Sequence, residues 1–290
     1  MIVNILDYEK ELQDMEITIY DLKQSVIADI KDTENKKELC ERIGRCEWYI
    51  QGQIYHLRNM IGIYKEIVGT AINKMNAVMI QEGPPSFFFT ANNLLPNLYY
   101  ELYAFINLFR ISLDYFHKTL EFKFEKGKEL PKSFSAFTSR TTDCPILERL
   151  ANDYVIMYFK DFRDCLNHYR TFSANSMFML VQEDIQNISG LDPLLNVEPF
   201  ILKPSFRIEE DSKIIINFYL PDVIFEGNKN KLVKNFTYEQ KKNILAETMS
   251  VLRHVVFNFL ETLTYINKDV VFHYDKNKFE EPVEYIEFMG

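Results

Sequence analysis

From Leu39 to Val78 one pattern repeats without a break: Leu39, Ile43, Cys46, Ile50, Ile54, Leu57, Ile61, Tyr64, Val68, Ala71, Met75 and Val78 fall at steps of three and four. That spacing places every apolar side chain on one face of an α-helix. So long a stripe must be covered by other helices along most of its length, which commits the chain to a mainly α fold. The segment before it obeys the same rule through Ile5, Tyr8, Leu12, Met15, Ile19, Leu22, Val26 and Ile30, with the polar turn "KDTEN" between the two. The pair is expected to form an antiparallel hairpin, its longer arm projecting beyond or running under the rest. "EGPP" stops that arm, since two prolines cannot continue a helix.

After "SFFFTANN" a third helix is expected from about Pro96 to Phe124, with Leu98, Leu102, Phe105, Phe109, Leu113, Phe116 and Leu120 on one face. Residues 125 to 144 form a long polar connection, of the kind that tends to serve function. A fourth helix begins near Pro145, and residues 96–124 and 145–171 are read as the central pair. The period then changes. "SMFMLVQED", "EPFILKPSFRIEED" and "SKIIINFYLPD" read as short antiparallel strands, a β insertion at about 175–222. Thr237 and Gln240 have capping-box spacing, so the last helix is expected to start there. The predicted organisation is an N-terminal hairpin over 1–85 and a helical core over 86–290, or one continuous domain.

Composition narrows the function classes. A hydrophobic content of 47% with 26% charged residues suits a soluble globular protein. A net charge of −9 argues against coating nucleic acid with the whole surface, although it leaves room for a local basic site. No apolar run approaches the roughly 20 residues needed to span a bilayer, and no membrane partner is expected. The cysteines (Cys40, Cys46, Cys144, Cys165) form no CxxC pair, and no charged-then-apolar leader precedes them. They read as reduced thiols in a cytoplasmic protein. His56, His254 and His273 have no metal-ligand spacing, and no HExxH, Walker, GxGxxG or GxSxG pattern occurs, so neither metal nor cofactor is expected.

The chemistry gathers in "FKDFRDCLNHYRTF", residues 159 to 172, directly after the apolar "YVIMYF". On a helix at 100° per residue, Arg163 and Asn167 share a face, as do Asp164 and His168, while Arg163 and His168 diverge by about 140°. A carboxylate can thus orient an imidazole beside a guanidinium. A phosphodiester asks for that set: Arg grips the non-bridging oxygens in a fork, and His exchanges a proton near neutrality. The plain alternative is an exposed ion pair between Asp164 and His168.

"RDCLNH" resembles the R-x4-6-H motif, with a polar residue after the Arg, of the HEPN superfamily (higher eukaryotes and prokaryotes nucleotide-binding). The resemblance covers the third, motif-bearing and last helices and extends to the β insertion; it does not account for the N-terminal hairpin. It implies an HEPN-like helical bundle that pairs as a homodimer, with two motifs facing each other. It further implies a metal-independent endoribonuclease of toxin or antiviral-defence type, possessing an antitoxin or defence-system partner. Arg163 would neutralise the scissile phosphate and His168 would act on the 2′-hydroxyl or the leaving oxygen; Asp164 and Asn167 would orient them. An HEPN-like dimer that binds nucleotide or RNA, or scaffolds a complex without cleaving, is the alternative, and a purely structural helical protein is a third reading.

Two further regions carry candidates. Asn107, Arg110, Asp114, His117 and Glu121 form a stripe on the third helix, read either as its solvated side or as a wall of the same cleft with Arg110, Asp114 and His117 in support. Arg110 to His117 also fits R-x6-H, but Ile111 stands where a polar residue is wanted. Lys126, Lys128, Lys132 and Arg140, interleaved with Phe134 and Phe137, make the 125–144 connection either a solvated loop or a contact for single-stranded nucleic acid through Lys128, Lys132 and Arg140.

Overall fold

A computed structural model describes residues 2–30, 36–78, 86–90, 94–120, 144–168, 177–181, 202–208, 214–223, 236–267 and 285–287. These are mainly helical: α1 (Ile5–Asp29), α2 (Lys36–Val78), α3 (Leu94–Leu120), α4 (Pro145–Asn152), α5 (Tyr154–His168) and α6 (Ile244–Ile266). The strands are β1 (Ile2–Asn4), β2 (Ser86–Thr90), β3 (Met177–Val181), β4 (Lys203–Ile208), β5 (Ile214–Val223), β6 (Phe236–Asn243) and β7 (Tyr285–Glu287).

The apolar stripe read on α1 is the face it buries, from Ile5 to Val26. α2 runs antiparallel to it. Ion pairs fix the register: Lys65 to Glu9 at 2.7 Å, Arg58 to Glu16 at 3.0 Å and Lys23 to Glu47 at 2.6 Å. On its other flank α2 lies along α3, the most extensive helix contact in the described residues. Gly52 permits the close approach, since a Cβ there would stand 2.7 Å from Leu108 Cδ1. Gln53 donates to Ser112 Oγ at 3.3 Å inside that seam. α6 packs against α1, α2 and α3, and Arg253 grips the Glu11 carboxylate with two bonds of 2.7 Å. Buried side chains from all six helices form one hydrophobic cluster, joined by Leu202 and by Ile216, Phe218 and Leu220 of β5.

The antiparallel β4–β5–β6 sheet precedes the last helix. Three tyrosines from three helices pin this region to the bundle. Tyr64 of α2 donates to the Ile216 carbonyl at 2.8 Å, Tyr99 of α3 accepts from Leu202 N at 2.6 Å, and Tyr158 of α5 donates to the Pro221 carbonyl at 3.3 Å. Burial pushes all three phenols well above their ordinary pKa, so they remain neutral hydrogen-bonding groups. β2 pairs antiparallel with β3, and β1 pairs parallel with β7.

The third helix is described over Leu94–Leu120; residues 121–124, and 169–171 of the expected fourth helix, lie outside the described residues. Several expectations need correction. The principal partner of the third helix is α2, whereas α5 meets a shorter stretch of it. The fourth helix is two helices. At Asp153 the backbone turns extended (φ −72°, ψ 112°), and its carboxylate accepts from Ile156 N at 3.1 Å, opening α5 as a cap does. The β region reaches Asn243, and Ser86–Thr90 forms a strand of its own, β2.

Thr237 and Gln240 do not open the last helix. Asp222 replaces the box on both counts: it accepts from Gln240 N at 3.2 Å, the donor Thr237 would have capped, and from the Thr237 hydroxyl itself at 3.1 Å. Lys241 then turns the chain through a left-handed φ of 45°. Asn243 caps α6 instead, its Oδ1 accepting from Leu245 N at 3.0 Å and Ala246 N at 3.3 Å.

Candidate functional site

α5 answers the question its sequence poses. Ile156, Phe159, Phe162, Cys165 and Leu166 turn into the core, which leaves Arg163, Asp164 and Asn167 half-buried along the flank that meets α3. α3 and α5 are antiparallel here, with Phe109 packed against Phe159 and Tyr103 level with Asn167. The seam between them is polar at its outer edge.

Arg163 is the centre of this edge. Its Nη1 donates to Asp164 Oδ1 at 2.9 Å. The Asn167 amide satisfies its surroundings with its oxygen toward Arg163, accepting from Nε at 2.8 Å and Nη2 at 3.2 Å, while its nitrogen donates to Tyr103 Oη at 2.7 Å. The opposite orientation would set Nδ2 against the guanidinium donors in exchange for one long contact to Asn107 Oδ1 at 3.4 Å. Arg163 and Asn167 therefore share a face, as four-residue spacing requires. Its side chain keeps 27% of its surface open to solvent, enough to meet a ligand. Asp164 turns to Arg163. The His168 side chain lies outside the described residues; the backbone of His168 closes α5 one residue after Asn167.

The α3 stripe divides. Asn107 reaches the site edge, and Arg110 pairs with Asp114 at 2.9 Å while retaining only 12% exposure. His117 is 1% exposed, so its ring belongs to the interior rather than to the surface that holds Arg163. Only its upstream end, at Tyr103 and Asn107, is shown meeting α5, while Arg110 and His117 are largely withdrawn from solvent. Lys128, Lys132 and Arg140 lie outside the described residues. Tyr103 was missed by sequence reading, although it continues the stripe one turn upstream of Asn107; an aromatic residue simply read as packing.

Three other polar clusters stand apart. Asp153 Oδ2, at the break between α4 and α5, meets His254 Nδ1 of α6 at 2.6 Å, and Glu101 Oε2 of α3 meets His56 Nδ1 of α2 at 2.6 Å. The third cluster lies where β5, β6, α5 and α6 converge. Lys242 Nζ is 3.6 Å from Asp222 Oδ1 and 3.6 Å from the Tyr158 ring centroid. Burial lowers the Lys242 pKa against the pull of Asp222 and Glu247. It raises that of Glu247, with Asp222 adding to the rise and Lys242 opposing it.

Among the described residues no group of three or more His, Cys, Asp or Glu is arranged to hold a metal ion, and no helix is long and apolar enough to cross a membrane. Comparison with family models, with curated proteins and with solved structures gives no match in any of the three.

Proposed function

We propose that the protein is an HEPN-type, metal-independent endoribonuclease that acts as a homodimer, in the manner of a toxin or antiviral-defence effector. The observation that carries this reading is the organisation of Arg163. Its guanidinium is held in place by Asn167 and Asp164 at a solvent-reaching seam, on the helix that ends in His168. A fixed guanidinium fork is the group that binds the two non-bridging oxygens of a phosphodiester.

The reaction divides between the two motif residues. His168 takes the proton of the ribose 2′-hydroxyl as O2′ forms its bond to phosphorus, or returns a proton to O5′ as the P–O5′ bond breaks. Arg163 neutralises the charge that builds on the phosphoryl oxygens. The products are a 2′,3′-cyclic phosphate and a free 5′-hydroxyl. One copy of the chain brings one Arg and one His of the motif, and a two-fold pairing of the seams supplies base and acid together.

A second reading rests on Asp164, which already offsets part of the Arg163 charge at 2.9 Å. A site so tempered could bind nucleotide or RNA, or scaffold a partner, without cleaving. Incubation of purified protein with RNA in EDTA separates the two readings. Cyclic phosphate ends, lost in His168→Ala and Arg163→Ala, support the enzyme; binding without turnover supports the module. Growth arrest on expression, relieved by His168→Ala, would tie the activity to a toxin role.

A further inference from the structure

We infer that Tyr103 of α3 belongs to this site in two capacities: its hydroxyl positions Arg163 through Asn167, and its ring stacks an unpaired base beside the bound phosphate. The inference rests on the ribonuclease reading and assigns to it a single-stranded segment as substrate.

The positioning role follows from the chemistry of the amide. A primary amide has one accepting and one donating end, and little besides its neighbours decides which faces where. Arg163 can only donate, so its Nε and Nη2 take the amide oxygen; the Asn167 nitrogen then meets Tyr103 Oη at 2.7 Å, and the hydroxyl anchors the amide in that orientation. With two donors of the guanidinium taken by Asn167 and a third by Asp164, the plane of the guanidinium is set before any phosphate arrives. The hydroxyl lies on a different helix from the arginine it orients, so it ties the site to the rigid α2–α3 pair.

The stacking role follows from exposure. Tyr103 is 39% exposed, and Tyr100, one turn earlier on α3, is 68% exposed, whereas neighbouring Tyr99 is buried. Tyr103 thus presents a partly open ring beside Asn167, with the more exposed Tyr100 one turn farther along α3. Paired bases offer no open face to such rings, because a duplex stacks them on each other; splayed, single-stranded bases do.

The test uses Tyr103→Phe, which keeps the ring and loses the hydroxyl, and Tyr103→Leu, which loses both. Three quantities are read on the full chain: the Arg163 Nε–H resonance by NMR, affinity for an uncleavable 2′-O-methyl oligouridylate alone and in duplex, and single-turnover cleavage of the all-ribose strand. Melting temperature and circular dichroism establish that each variant is folded. Tyr103→Phe should move or broaden the Arg163 resonance and slow cleavage about five- to tenfold, a loss on the scale of one hydrogen bond, while affinity for the single strand stays within about twofold. Tyr103→Leu should weaken the single strand about tenfold, the scale of one stacked base, and leave the duplex unchanged. Tyr103→Trp should restore affinity but not rate. An unmoved Arg163 resonance in Tyr103→Phe overturns the positioning role. Undiminished single-strand affinity in folded Tyr103→Leu overturns the stacking role. If the parent protein neither binds nor cuts RNA, the ribonuclease reading and the stacking role fall together, and the resonance alone still decides the link from Tyr103 to Arg163.

Discussion

Replacing Lys242 by Met tests how the sheet is held to the bundle. The cation lies 3.6 Å from Asp222 Oδ1 and 3.6 Å from the Tyr158 ring centroid, with Glu247 within electrostatic reach, and a methionine side chain fills nearly the same volume without charge. In the parent the ammonium offsets the charge of Asp222 directly and of Glu247 at longer range; in Lys242→Met both carboxylates lose that offset. Removing one partner of a buried pair typically costs about 3–5 kcal/mol. The 3.6 Å separation from Asp222 is looser than an ideal pair, so a loss of about 3 kcal/mol at pH 7 is expected, at the lower end of that range.

The pH dependence has a definite sign. Glu247 has a raised pKa in the folded state, so its stabilising contribution is full below its ordinary carboxylate pKa and is lost as pH rises through the folded value. Protonating it leaves Asp222 and Lys242 as a balanced pair. Stability from this group therefore falls with rising pH, Glu247→Gln should be more stable than the parent at pH 7, and the difference should shrink in mild acid. Urea denaturation of parent, Lys242→Met and Glu247→Gln between pH 4.5 and pH 8 measures all of this. If Lys242→Met loses less than about 0.5 kcal/mol at pH 7, the buried cluster contributes no more than an exposed ion pair would, and the reasoning fails.

Two further substitutions test the scaffold. Tyr64→Phe removes the donor to the Ile216 carbonyl in a fully buried position and should cost about 1–3 kcal/mol, read as a lower denaturation midpoint with unchanged slope. Asp153→Ala removes both the α5 cap and the partner of His254; loss of the cap alone should cost about 1 kcal/mol, and hydrogen exchange should quicken first in the opening turn of α5.

What could be read from the sequence depended on how local its cause was. α1 and α2 were legible because their buried faces repeat every three or four residues and each position obeys the same rule. The break at Asp153 was not, since an acid in a helical pattern reads equally as a surface residue or as a cap, and its partner His254 is remote in the chain. The capping box at Thr237 misled for the same reason: Asp222, across the sheet, takes both the Gln240 N–H and the Thr237 hydroxyl. The pairing of β1 with β7 joins residues near the two ends of the chain and leaves no local trace. At the site, the shared face of Arg163 and Asn167 followed from helical spacing alone. Recruitment of Tyr103 required knowing that its end of α3 meets α5, and burial of His117 required knowing how the far end of α3 packs.

The central claim is that Arg163 and His168 act together on an RNA phosphodiester. The direct measurement is cleavage of a single-stranded RNA in EDTA by the parent, Arg163→Ala, Arg163→Lys and His168→Ala, with the product ends identified by mass. The account predicts cyclic phosphate ends from the parent and a fall of about 100- to 10,000-fold in rate for His168→Ala, the usual worth of a proton-transfer group. Arg163→Ala should fall similarly, and Arg163→Lys should not recover, because an ammonium cannot grip two oxygens in a fork. Cleavage by His168→Ala at the parent's rate, or no cleavage by a folded parent protein, would contradict it.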